Sequence, residues 1–109
     1  MFKDSVIENK KKKDFEKKQR LNSISLRNKF LGEWASTILG LEDNKKRKYI
    51  NKVIKFKRKK NNFIIKKIEE DFAKKNIKIS FKEIEFKTKE FQIKANIVVE
   101  NKFKLNNWQ

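Results

Sequence analysis

Residues 27–40 read R-N-K-F-L-G-E-W-A-S-T-I-L-G. This window holds both glycines of the chain, and its Trp34 is the only tryptophan outside the C-terminal tail. It is also the least charged long window in a protein where 41% of residues are charged. Phe30, Leu31, Trp34, Ala35, Ile38 and Leu39 recur at three- and four-residue spacing, which gathers them on one stripe of an α-helix. Gly40 falls where that helix should end, because glycine enters the left-handed region without a Cβ clash. Gly32 lies inside the helix, where glycine costs about 1 kcal/mol relative to alanine. Either it serves a close approach by a second helix or a partner, which is the favoured expectation, or it reflects neutral drift. Arg27, Asn28 and Lys29 are expected on the polar side, beside the apolar band.

Working outward, 109 residues make one domain with a single core. There is no cysteine and no histidine, which removes disulfides, thiolate metal sites, a cysteine nucleophile and an imidazole base together. No apolar run approaches the roughly 20 residues needed to span a bilayer. The N-terminus, with Asp4, Glu8 and Lys10 to Lys13, has no apolar core of a signal peptide, so a soluble intracellular protein is expected. The net charge of +17 invites a polyanionic partner. Composition offers a competing explanation. Lys (27), Ile (13), Asn (12) and Phe (10) supply 62 of the 109 residues, and all four are read from A/T-rich codons.

Before the window, residues 1–20 carry only Phe2, Val6, Ile7 and Phe15 as sizeable apolar groups. That is too little apolar surface to hold the segment in a core. Phe2, Val6 and Ile7 share a helical face, with Phe15 about two turns further on, as in helices that bind a partner's groove. From Gln19 the pattern firms, with Leu21 and Ile24 leading into the main stripe. After it, a second helix is expected from Asp43 or Asn44 as N-cap, with Tyr49, Ile50, Val53, Ile54 and Phe56 on its apolar face. Between Asn44 and Ile68 stand 12 Lys or Arg and no acid. Lys57 to Asn62 read as a polar connection, and Asn62 is the expected cap of a third helix bearing Ile64, Ile65, Ile68 and Phe72 and ending near Asn76.

The C-terminal third alternates like strands in places, but Ser80 and Glu83 form a capping box with Ile79 and Ile84 at the hydrophobic-staple positions. No Gly, Pro or Asn-Gly pair breaks residues 81–95 to make a hairpin. One long helix is expected, with Ile84, Thr88, Phe91, Ala95 and Val98 in phase. Phe86, Ile93 and Ile97 form a second face, and residues 101–109 are expected to fray. The fold class is thus all-α: a small bundle of about four helical segments with a long first helix. Residues 1–20 form a mobile basic arm and residues 21–109 the bundle.

No catalytic constellation assembles. Glu69, Glu70 and Asp71 are consecutive on a helix and fan apart, so they read as solvated partners of nearby lysines and not as a metal site. Ser23, Ser25 and Ser36 have no base in reach, and neither glycine belongs to a phosphate loop. The expectation is a non-enzyme with no metal and no cofactor, nucleotide binding being left open. A non-specific nucleic-acid binder using the Lys45 to Lys60 field is the alternative, with Tyr49 either stacking on a base or, better supported, packing in the core.

Three stretches together resemble the zeta subunit, the small inhibitor of the alphaproteobacterial F-type ATP synthase. In its A-R-R-N-K-L-L-G-L-W-A-A-x-L-L-G-like core, this chain matches Arg27, Asn28, Lys29, Leu31, Gly32, Trp34, Ala35, Leu39 and Gly40. Tyr49, Val53 and Ile54 follow. Asp71, Phe72, Ile79, Ser80, Glu83 and Ile84 match a later motif, with Asn76 where the family usually has glycine. The resemblance implies an all-α bundle whose N-terminal segment becomes helical in the catalytic head. There it wedges between a catalytic subunit pair and the rotor stalk and blocks rotation in the hydrolysis direction. Phe2, Val6, Ile7 and Phe15 would lie on the inhibitory arm, and the body from Arg27 onward would be the anchor. It further implies a cytoplasmic location peripheral to the inner membrane through the synthase, or the mitochondrial matrix if organellar. A member that binds without inhibiting is the remaining variant of this reading.

Overall fold

A computed structural model describes the backbone of residues 2–107 and the side chains of residues 16–102 and Lys104. The helices are α1 (Phe2–Ile38), α2 (Asp43–Lys55), α3 (Asn61–Lys74) and α4 (Phe81–Asn107), with a 3-10 turn at Phe56–Arg58. Among the described residues every regular element is helical, so the expected all-α bundle is the fold. The molecule measures 63 × 27 × 22 Å. Its length follows α1, since 37 residues at about 1.5 Å each make a rod of about 55 Å. That helix packs chiefly on α2 and α4, and α3 closes the bundle against α4.

Leu31, Ala35 and Leu39 of α1 meet Val53, Ile64, Ile65, Ile68, Phe72 and Ile84 in one core. Burying a side chain such as Phe72, which is fully enclosed, contributes about 1.5–3 kcal/mol. The half-buried Trp34 meets Phe72 edge to face, with ring centroids 5.7 Å apart and planes at 80°. Ile84, Thr88 and Ala95 line the inner side of α4, with Phe91 and Val98 half-buried beside them, as the helical phase predicts.

The chain reversals explain the turn residues. Gly40 is left-handed (φ 71°), and the N–H of Leu41 donates to Ser36 O at 3.0 Å while the N–H of Gly40 donates to Thr37 O at 3.1 Å. The same Schellman pattern ends α3. Asn76 takes φ 59°, with the N–H of Ile77 donating to Phe72 O and that of Asn76 to Ala73 O. Asparagine thus fills the left-handed role that glycine fills elsewhere in the chain. At the start of α4, the N–H of Glu83 donates to Ser80 Oγ at 3.2 Å, so that cap forms as expected.

Several boundaries differ from expectation. Helix α2 is capped at Glu42, in extended backbone and without a side-chain cap bond, and not at Asp43 or Asn44. Helix α3 is capped at Lys60 and not at Asn62, so Asn61 is its first residue. The connection is partly helical, since residues 56–58 wind into the 3-10 turn. Helix α4 continues to Asn107 where fraying from Asn101 was expected. A helix already propagating adds one backbone bond per residue, so a polar end extends readily.

Candidate functional site: the first helix and its polar clamp

Helix α1 carries both halves of the expected site. Phe2, Val6, Ile7 and Phe15 have side chains outside the described residues, although the α1 backbone runs continuously from Phe2 through the arm into the body. From Glu16 to Asn22 the described side chains are exposed or half-buried, and the first buried one among those described is Ser23.

What fixes α1 there is polar. Arg27 is 3% exposed and Asn28 is fully buried, which corrects their expected place on the solvated side. The Arg27 guanidinium donates to Asn28 Oδ1 from Nε (3.1 Å) and Nη2 (2.9 Å). Its Nη1 donates to Asn61 Oδ1 at 2.9 Å and to Gln92 Oε1 at 3.1 Å. One cation thus ties α1 to the start of α3 and the middle of α4 through amide oxygens, with no carboxylate within ion-pair distance among the described residues. Burial pushes the guanidinium below its ordinary pKa, and it remains charged at neutral pH. Gln92 Nε2 also donates to Ser23 Oγ (2.8 Å) and to Asn96 Oδ1 (3.0 Å), and Ser23 Oγ bonds Asn96 Oδ1. Asn28 Nδ2 has no partner among the described residues, because its oxygen is turned to the guanidinium.

Sequence reasoning missed this clamp, although a signal was present. Ser23, Arg27, Leu31, Ala35 and Leu39 follow one another at strict four-residue spacing, and all five are buried. Residue type overrode phase. Beyond the clamp, α1 and α4 are separated by an open cleft of about 390 Å³ lined by Glu16, Gln19, Arg20, Asn96, Val99 and Glu100.

On its other side α1 lies close against α2. A Cβ on Gly32 would stand 3.0 Å from Ile50 Cα and 3.4 Å from Val53 Cβ. The backbone of α2 occupies that space, so close approach is the reason for the glycine. Ser36, one turn on, is fully buried, with its hydroxyl donating to Glu33 O at 3.0 Å. Leu31 and Trp34 are core residues and Gly40 the helix stop. Arg27, Asn28, Leu31 and Gly32 of the motif are thus buried and Trp34 is half-buried against the core, while Gly40 is exposed at the helix end.

The basic field of α2 and the following turn is largely exposed, but Tyr49 is not a stacking platform. It is half-buried against the core and donates its hydroxyl to Asp71 at 2.9 Å, so Asp71 is not simply a solvated acid. Burial first, then the charge of Asp71 and its hydrogen bond, drive the phenol far above its ordinary pKa. Among the described residues no group of acidic side chains is placed to hold a metal, and no helix is long and apolar enough to cross a membrane.

The sequence pattern of the family ATPase inhibitor subunit zeta matches residues 2–97, which takes in all of α1, the clamp and the core. The chain belongs to the zeta subunit family. Comparison with curated proteins and with solved structures returns no match. Membership in an ATPase inhibitor family supports a regulatory role connected with the ATP synthase. It also explains why Arg27, Asn28, Gly32 and Trp34 sit at spacings that amphipathicity alone does not require. In this zeta subunit Arg27 and Asn28 belong to the clamp, Gly32 to the α1–α2 contact, and Trp34 packs edge to face on Phe72 of α3.

Proposed function

We propose that this zeta subunit restrains ATP hydrolysis by the catalytic head of an F-type ATP synthase. The stretch of α1 before Ser23 is the inhibitory arm, and the clamped body holds it on the head, which leaves the protein peripheral to the membrane that carries the synthase. The observation that carries this reading is the geometry of α1. A single helix runs from Phe2 to Ile38, and among its described side chains burial begins only at Ser23. A free helix of about 15–20 residues is marginal in water because its first turn is costly to nucleate. Grown from a segment already fixed by Arg27 and Gln92, the arm needs only propagation. Less ordering entropy is then lost when it enters a cleft between catalytic subunits and rotor. Rotation requires those interfaces to open and close in turn, so a helix seated in one of them stops the cycle without any chemistry of its own.

Steady-state ATP hydrolysis by the cognate head, titrated with the full chain, tests the proposal. A saturable loss of hydrolysis, with co-purification of the two, is expected. Neither effect at saturating chain overturns it. Co-purification with unchanged hydrolysis would leave a subunit that serves assembly and does not inhibit.

A further inference from the structure

The outer side of α4 presents an apolar ridge that none of the described residues covers. Phe86 is 69% exposed, Ile93 63% and Ile97 52%, the most exposed large apolar side chains among the described residues. At positions i, i+7 and i+11 they form one stripe about 17 Å long, opposite the line of Ile84, Thr88 and Ala95 that faces the core. Single exposed apolar residues are ordinary, but three aligned on one face mark an interaction surface. Near its upstream end the ridge adjoins a shallow, mainly apolar depression between Trp34, Lys82, Phe86 and Lys87.

Building on the reading above, we propose that this ridge is where the body docks on the catalytic head, against an amphipathic helix with acidic flanks. The charges around the ridge select that partner. Glu90 pairs with Lys87 at 3.1 Å, Glu100 with Lys104 at 3.5 Å and Glu85 with Lys89 at 4.0 Å, so three of the four acids of α4 are already compensated. The lysines of α4 outnumber its acids six to four, in a chain of net charge +17. A second copy would bring the same positive field to the contact, which disfavours self-pairing. A straight stripe on a helix matches the seam along which two helices pack side by side. The ridge lies on the body and not on the arm, so it supplies affinity while the arm supplies the block.

The test uses the full chain carrying Phe86→Ser, Ile93→Ser and Ile97→Ser together, with Ile93→Glu alone as a second variant. These side chains are exposed, so helicity and the unfolding midpoint should match the parent. Binding to the cognate head is measured by titration at two salt concentrations. The proposal expects parent binding that weakens with salt, at least a tenfold loss of affinity in both variants, and half-inhibition shifted to higher concentration with the same maximal inhibition. Equal affinity of parent and variants overturns the ridge and leaves the inhibitory reading standing. No binding by the parent overturns both. Salt-independent binding, or a parent dimer that the variants dissolve, overturns the acidic partner in favour of an uncharged surface or a second copy.

Discussion

Replacing Gly32 separates two opposing effects of known size. Alanine in a helix interior is favoured over glycine by about 0.8–1 kcal/mol, so an unconstrained Gly32→Ala change would stabilise the protein by that amount. The structure places the new methyl 3.0 Å from Ile50 Cα, whereas carbon atoms in contact prefer about 3.5–4.0 Å. The obstacle is backbone, so α2 itself must shift by about 0.5 Å or more and disturb the packing of Val53. Overpacking of this kind costs about 1–3 kcal/mol. The net expectation for Gly32→Ala is a loss of about 0–2 kcal/mol. Gly32→Leu adds three more carbons to the same gap and should lose about 3 kcal/mol or more. Urea unfolding followed by far-UV circular dichroism reads both values, and for a domain near 100 residues each 1 kcal/mol also lowers the thermal midpoint by about 4–8 °C. A Gly32→Ala protein stabilised by its full helix-propensity gain, or a Gly32→Leu protein of unchanged stability, would refute the close-approach account.

The clamp, a buried tyrosine and the α1 stop give three further tests. Gln92→Ala removes an acceptor from the buried Arg27 and the donor to Ser23, and should cost about 1–3 kcal/mol in the same unfolding assay. Tyr49→Phe deletes the bond to Asp71 and should cost about 1 kcal/mol at neutral pH. The folded phenol titrates above its unfolded value near 10, so its contribution is intact below that pH and is lost as pH rises beyond it. Thermal midpoints measured from pH 8 to 11 should accordingly fall more steeply for the parent than for Tyr49→Phe. Gly40→Ala meets no neighbour within 4 Å but forces a Cβ into φ 71°, and should lose about 1 kcal/mol by backbone strain alone.

The parts of this fold that sequence revealed are those where residue type and periodicity agree. Ile64, Ile65, Ile68 and Phe72 are apolar in helical phase and are all buried. Ser80 carries a local cap whose partner lies three residues away, and the bond forms. Gly32 hinted at a close approach because a glycine inside a helix is costly, but drift explained it as well, and only the fold names Ile50 as the neighbour. The clamp was hidden because its members belong to three helices. Arg27, Asn61 and Gln92 are each ordinary surface residues in their own segment, and burial of Arg27 becomes tolerable only when the amide oxygens of Asn28, Asn61 and Gln92 converge on its guanidinium. The starts of α2 and α3 were displaced because Asp43, Asn44 and Asn62 are good caps in isolation, while tertiary packing placed the ends one or two residues earlier. The face of Phe86, Ile93 and Ile97 was legible as a second stripe, and its exposure among the described residues only from the structure.

The division of labour along α1 is tested most directly by competition. ATP hydrolysis by the cognate head is measured with an inhibiting amount of the full chain, while a shortened chain lacking residues 1–20 is added in increasing excess. The described buried residues of α1 begin at Ser23, so the shortened body keeps its clamp and core. The shortened chain alone should leave hydrolysis unchanged, and in excess it should displace the full chain and restore activity. Inhibition by the shortened chain as strong as that by the full chain would contradict the assignment of the arm.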